Sequence, residues 1–133
     1  MFSPDGRWLA YTSDESGAYQ VYVEPYPPNG QRWQVSVAEG SEEPLWSPEG
    51  NELYFRQGRL WMAVTVQTEP VFAVGIPNVL FEGDFLNFGG RSHALSPDGQ
   101  RFLLVEPVEE EQRYLSQLRI VSNWLADTTS QNP

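Results

Sequence analysis

The chain repeats one short motif three times. Phe2-Ser3-Pro4-Asp5-Gly6 returns as Trp46-Ser47-Pro48-Glu49-Gly50 and again as Leu95-Ser96-Pro97-Asp98-Gly99. Ser47 follows Ser3 by 44 residues, and Ser96 follows Ser47 by 49. Each copy leads within a few residues into an apolar stretch: Trp8-Leu9-Ala10-Tyr11, Leu53-Tyr54-Phe55 and Phe102-Leu103-Leu104. A period of about 40 to 50 residues is that of a four-stranded propeller blade, and it is too long for a leucine-rich repeat. The segments between the motifs alternate as strands do rather than every three to four residues. The expected fold class is therefore all-β: about three four-stranded antiparallel blades, half of a β-propeller.

The motif itself is turn chemistry. Proline presets φ for the first central position of a turn, and an acidic residue suits the next. Glycine supplies the positive φ that reverses the chain, and the serine hydroxyl can bond a nearby backbone N–H. Ser3, Pro4, Asp5 and Gly6, then Ser47, Pro48, Glu49 and Gly50, then Ser96, Pro97, Asp98 and Gly99 are accordingly structural turn residues. Asp5, Glu49 and Asp98 as one shared acidic site is the rival reading. It is set aside because a propeller places such turns on separate blades.

The strands of the first blade, residues 1–38, are expected at 8–12, 20–25 and 32–37, with almost no strand before Phe2. Asn29-Gly30 is the hairpin signal ahead of the last of these. The second blade, 39–83, is expected to have strands leading into Trp46 and at 52–56, 60–66 and 79–81. Gln57-Gly58 is its two-residue turn, and the last strand is reached through 70–77, which is bounded by prolines. The third blade, 84–126, is expected to have strands at 92–95, at 101–106 and within 115–124, with no fourth strand evident. Only the region around Tyr114 to Leu118 competes as helix. Residues 127–133 form a polar tail.

Net charge is −10 and 14% of the residues are aromatic. An acidic surface excludes the usual attraction to nucleic acid or anionic membrane, because phosphate attracts basic surfaces. No stretch approaches the roughly 18 apolar residues of a membrane span. The opening Met1-Phe2-Ser3-Pro4-Asp5-Gly6 lacks the basic and apolar regions of a signal peptide. With no cysteine there is no disulfide, thiolate metal site or cysteine nucleophile.

Few stretches of the chain carry a catalytic signature. Asp84-Phe85-Leu86 lacks the glycine of a kinase's metal-binding motif, and there is neither a His-Arg-Asp loop nor a Gly-x-Ser-x-Gly elbow. His93 is the single histidine. On a predicted innermost strand it would line the propeller channel, more readily as a hydrogen-bonded scaffold residue than as a base or ligand. Asp14-Glu15-Ser16-Gly17 lacks the spaced oxygen ligands of a calcium loop and reads as a solvated turn. Glu109-Glu110-Glu111 reads as an exposed loop. Trp33, Trp46 and Trp61 read as packing between blades before they read as stacking platforms. No catalytic residue, metal ligand or cofactor is assigned.

Tandem Ser-Pro-Asp-Gly hairpins followed by an aromatic-rich strand resemble the TolB-like, WD-repeat-like propeller repeats of bacteria. Trp8-Leu9-Ala10-Tyr11, Val21-Tyr22-Val23, Pro44-Leu45-Trp46-Ser47, Glu52-Leu53-Tyr54-Phe55 and Leu80-Phe81-Glu82-Gly83 look like the C-terminal blades of propellers fused to bacterial serine/threonine kinases. The ending Ile120-Val121-Ser122-Asn123-Trp124 looks like the close of those chains. The resemblance implies a six- or seven-bladed ring used for protein interaction or ligand sensing, and carries over no binding residue.

Three blades do not close a ring, and an open half-ring exposes two apolar blade flanks. The expected partner is a second copy, closing six blades as a homodimer. A protein or peptide partner is the further expectation. Three readings stay open: a noncatalytic interaction or sensing module, a hydrolase- or lyase-type propeller enzyme with an axial site formed on assembly, and a propeller fragment of a larger kinase or peptidase.

Overall fold

The computed structural model describes residues 1–86, 93–107 and 116–122. They hold eleven strands and no helix, arranged in three antiparallel sheets. The chain divides into two compact units, Met1–Val79 and Leu80–Pro133.

In the first unit, β1 (Trp8–Ser13), β2 (Gln20–Pro25) and β3 (Trp33–Gln34) form one sheet in that order. Phe2 adds a single bridge to Leu9, so the inner strand of this sheet is reduced to one pair. The Met1 carbonyl accepts from Ala10 N at 2.8 Å and from Trp46 Nε1 at 3.1 Å, which ties the chain start to both sheets of the unit. The connection before β3 is longer than Asn29-Gly30 implied. Val23 pairs with Trp33, so residues 26–32 form a wide loop in which Gly30 takes φ 90°. Only two residues of the expected strand 32–37 stay in the ladder. Beyond them Val35 N and Ser36 Oγ both engage Val21.

The second sheet has the order β4 (Ser41–Trp46), β5 (Glu52–Gln57), β6 (Leu60–Gln67) and β7 (Ala73–Val74), and β8 (Asn78–Glu82) also pairs with β6. Gln57 pairs with Leu60, so the hairpin turn is Gly58-Arg59 rather than Gln57-Gly58. Gly58 takes φ 62°, the positive value that the first central position of a II′ turn requires. The short β7, inside the stretch expected only to lead to the last strand, is an addition the sequence reading missed. A register shift between Glu42 and Leu45 marks a β-bulge at Pro44, with Glu43 at φ 59°. Proline cannot donate to a ladder, so the strand bulges there.

The core lies between these two sheets. Ala10, Val21 and Val23 from one face of the first sheet meet Trp46, Leu53, Phe55, Met62 and Val64 from one face of the second. Strict alternation places them: Ala10 pairs with Val23, and Leu53 pairs with both Trp46 and Val64, so each set shares a face. Trp8, Trp33 and Phe72 seal one margin with ring centroids 4.5–5.8 Å apart.

The second unit contains a third sheet, β9 (His93–Leu95), β10 (Arg101–Pro107) and β11 (Ser116–Ser122), with β10 central. Residues 116–118 are strand, so the competing helix there is not formed. Phe102 and Leu104 are fully buried, and Phe102 packs edge-on against Phe81 at 5.4 Å. The predicted loop at Glu109–Glu111 and the polar tail at 127–133 lie outside the described residues.

Candidate functional site

The three motif turns share a hydrogen-bonded frame. In each, the glycine N–H donates to the serine carbonyl at 2.8–2.9 Å. The serine N–H donates to the carbonyl five residues on, at Trp8, Glu52 or Arg101. The serine hydroxyl accepts the backbone N–H of that same residue at 3.0–3.1 Å. Its own proton then decides what the acid does. Ser3 Oγ donates to Asp5 Oδ1 at 2.6 Å and Ser96 Oγ to Asp98 Oδ1 at 2.5 Å. Each carboxylate also accepts a backbone N–H, from Arg7 or Gln100. These donors hold both carboxyls below the ordinary aspartate range, the serine hydroxyl contributing most. In the second turn the hydroxyl turns to Asn51 Oδ1 at 3.1 Å, so Glu49 does not take the part of Asp5 and Asp98.

The first two turns lie side by side, which corrects the expectation that blade separation keeps them apart. A Cβ on Gly50 would sit 3.4 Å from Pro4 Cδ. Between the turns opens a polar cleft of about 90 Å³ lined by Ser3, Pro4, Asp5, Glu49, Gly50 and Thr68. Asp5 and Glu49 thus share a cleft, while Asp98 belongs to the second unit. The exposed pair Arg7–Glu69, 3.0 Å, places a cation on the residue next to Thr68.

His93 opens β9 as a buried side chain, opposite the buried Leu104. Among the described residues no three His, Cys, Asp or Glu side chains gather as a metal site. Glu15, in the turn closed by Gly17 N to Asp14 O, is ion-paired with Arg32, whose guanidinium lies 4.4 Å from the centre of the Tyr22 ring. That partner lowers the Glu15 carboxyl and raises Arg32. Trp46 and Trp61 are buried, and Phe85 of the Asp84-Phe85-Leu86 stretch is buried as well.

Two features escaped the sequence reading. The bulge at Pro44 brings Glu43 to 3.8 Å from Arg56, both nearly covered. Beside them, burial and the Glu52 carboxylate raise the Tyr54 phenol above its usual range. Proline inside a strand was the available signal. The second feature is an apolar groove of about 240 Å³ on the third sheet, lined by Ala94, Leu95, Ser96, Phe102, Leu103 and Ile120, with Arg101 at its rim. Its signal was the unbroken run Phe102-Leu103-Leu104-Val105, which makes both faces of one strand apolar.

The architecture recurs in solved structures. TolB from Acinetobacter baumannii matches 92% of this chain with a TM-score of 0.64 at 23% identity, over 28% of its own length. A putative TolB from Agrobacterium tumefaciens matches 92% with a TM-score of 0.62 at 17% identity, over 44% of its length. Oligogalacturonate lyase from Vibrio parahaemolyticus matches 80% with a TM-score of 0.61 at 18% identity, over 27% of its length. The fold is that of a β-propeller. The chain spans less than half of each of these proteins. No family model matches the sequence. Among curated proteins, an uncharacterized peptidase, YuxL, from Bacillus subtilis is 40% identical over 53 residues, which is 39% of this chain and 8% of that protein.

Proposed function

We propose that the chain is a noncatalytic propeller module for interaction or ligand sensing. The observation that carries this reading is the employment of its carboxylates. Asp5 and Asp98 are each held by their own serine and a backbone N–H, and Glu15 by Arg32. Groups so engaged are held as carboxylates by their donors, which makes them poor general acids near neutral pH. What the surface offers instead is apolar and aromatic: the exposed Tyr19, Val71 and Ile76. Aromatic side chains with one wet end are typical anchors of a binding surface. The resemblance to propellers fused to kinases, in which the ring serves sensing, points the same way.

The test is selection from a displayed heptapeptide library on the purified chain, followed by tryptophan fluorescence titration of the synthetic winner. Saturable binding without cleavage is expected. Recovery of no binding peptide overturns the peptide-binding form of the reading. Turnover of peptide anilides or of oligogalacturonate with manganese would establish the enzyme reading instead, since a solved lyase of this fold holds manganese. A second reading rests on the 53-residue match: the chain as the propeller part of a peptidase whose catalytic domain lies elsewhere.

A further inference from the structure

The repeat gives every sheet two defined faces. The residue before each motif serine (Phe2, Trp46, Leu95) shares a face with the residues six and eight positions after that serine. Those are Leu9 and Tyr11, Leu53 and Phe55, and Phe102 and Leu104; this is the front face. The residue seven positions after the serine (Ala10, Tyr54 or Leu103) marks the back. Between the first two sheets, back meets front: Ala10 packs in one cluster with Trp46, Leu53 and Phe55, all between 0% and 3% exposed.

The same positions are open at two places. On the front of the first sheet, Phe2 is 50% exposed where its counterpart Trp46 is 3% exposed. Tyr26, edge-on to Phe2 at 5.0 Å, is exposed as well, and Leu9 and Tyr11 are only partly covered. On the back of the third sheet, Leu103 is 37% exposed where its counterpart Ala10 is buried, and Ile120 beside it is 61% exposed. The charges at these faces match. Arg101 shares the back face with Leu103, and Glu24 shares the front face with Leu9. By the repeat they hold the places of Trp8 and Val64, which pack in one cluster at the first junction.

We infer that two copies of this chain associate by laying the front of the first sheet, Phe2, Leu9, Tyr11 and Tyr26, on the back of the third sheet, Ala94, Leu103 and Ile120, of the other copy. The junction uses the same repeat positions as the one inside the chain, with Arg101 and Glu24 where that one has Trp8 and Val64. Made twice about a two-fold axis, the junction leaves neither face open in either copy, and association stops at two. The inference does not depend on what the module binds.

The experiment is light scattering after size exclusion on the 133-residue chain, with circular dichroism to confirm folding. The wild type is expected at twice 15.1 kDa over a range of concentrations. Leu103→Glu and Phe2→Glu are each expected to be folded and monomeric, because every copy then lacks one half of both junctions. An equimolar mixture of the two restores one intact junction and is expected to recover the dimer, more weakly than wild type. A folded wild-type monomer overturns the inference and leaves both faces to blades of another chain. A Leu103→Glu variant that stays dimeric overturns it too, as does open-ended growth beyond two copies. If Leu103→Glu fails to fold, Ile120→Glu at the more exposed neighbour carries the same test. A dimer that binds no peptide leaves this inference standing while the proposed function fails.

Discussion

Gly6, Gly50 and Gly99 occupy equivalent turn positions at φ 73–76°, a region that costs an ordinary residue roughly 1–2 kcal/mol. At Gly6 an added Cβ meets nothing within 4 Å, whereas at Gly50 it touches Pro4. Gly6→Ala and Gly50→Ala are therefore expected to cost about the same, on the order of 1 kcal/mol in urea melts. Gly6→Leu adds little to that, while Gly50→Leu drives its side chain into Pro4 and costs clearly more. The acids of the turns set a second expectation. Asp5 and Asp98 have folded-state pKa values below the ordinary one, so their stabilisation is present above the unfolded pKa and lost as pH falls through the folded value. Thermal melts from about pH 5 to about pH 2 should show a steeper loss in wild type than in Asp5→Asn/Asp98→Asn, whose amide oxygens accept the same bonds without titrating. The sequence shows serine, proline and glycine at the same spacing in all three turns. It treated Glu49 as a third Asp because spacing does not reveal where a hydroxyl proton goes. Asn51 Oδ1, two residues further on, accepts that hydroxyl's hydrogen bond.

At the scale of elements, the core strands and the edge strands β8, β9 and β11 were legible, whereas the shortness of β3 and the existence of β7 were not. Residues 20–25 and most of 52–56, 60–66 and 101–106 were read from apolar alternation, and each of these strands carries buried side chains. The outer strands β3 and β7 have two residues each, and nothing in so short a span alternates. Asn29-Gly30 misled because turn propensity is local, whereas Trp33 is placed by its packing on Trp8 and Phe72. Gly83 shows a constraint of the same kind. Its Cβ would lie 2.7 Å from the ring of Phe85, which is buried and edge-on to Phe81 at 5.9 Å. Gly83→Ala must push that ring out of place and is expected to lose about 1–3 kcal/mol in chemical denaturation. Adding Phe85→Leu should recover part of the loss, because the smaller side chain relieves the overlap; no recovery would place the cause in the backbone.

For the whole molecule, charge and packing oppose each other, and ionic strength separates them. Each copy carries −10, so two copies repel over distances that salt screens, with a Debye length of about 30 Å at 0.01 M and about 8 Å at 0.15 M. The proposed junction is apolar at its centre, with Arg101 and Glu24 as its complementary charges. If apolar contact drives association, the dimer tightens as salt rises, because screening removes the long-range repulsion and leaves the buried contact. If the ion pair drove it, salt would loosen the dimer. Sedimentation equilibrium between about 0.01 M and about 0.5 M sodium chloride reads the sign directly, and tightening is the expected result. Arg101→Ala should then change the affinity little, since an exposed pair contributes at most about 1 kcal/mol. The loss should fall on Leu103→Glu, which puts a charge where the repeat elsewhere places Ala10 and Tyr54, both buried.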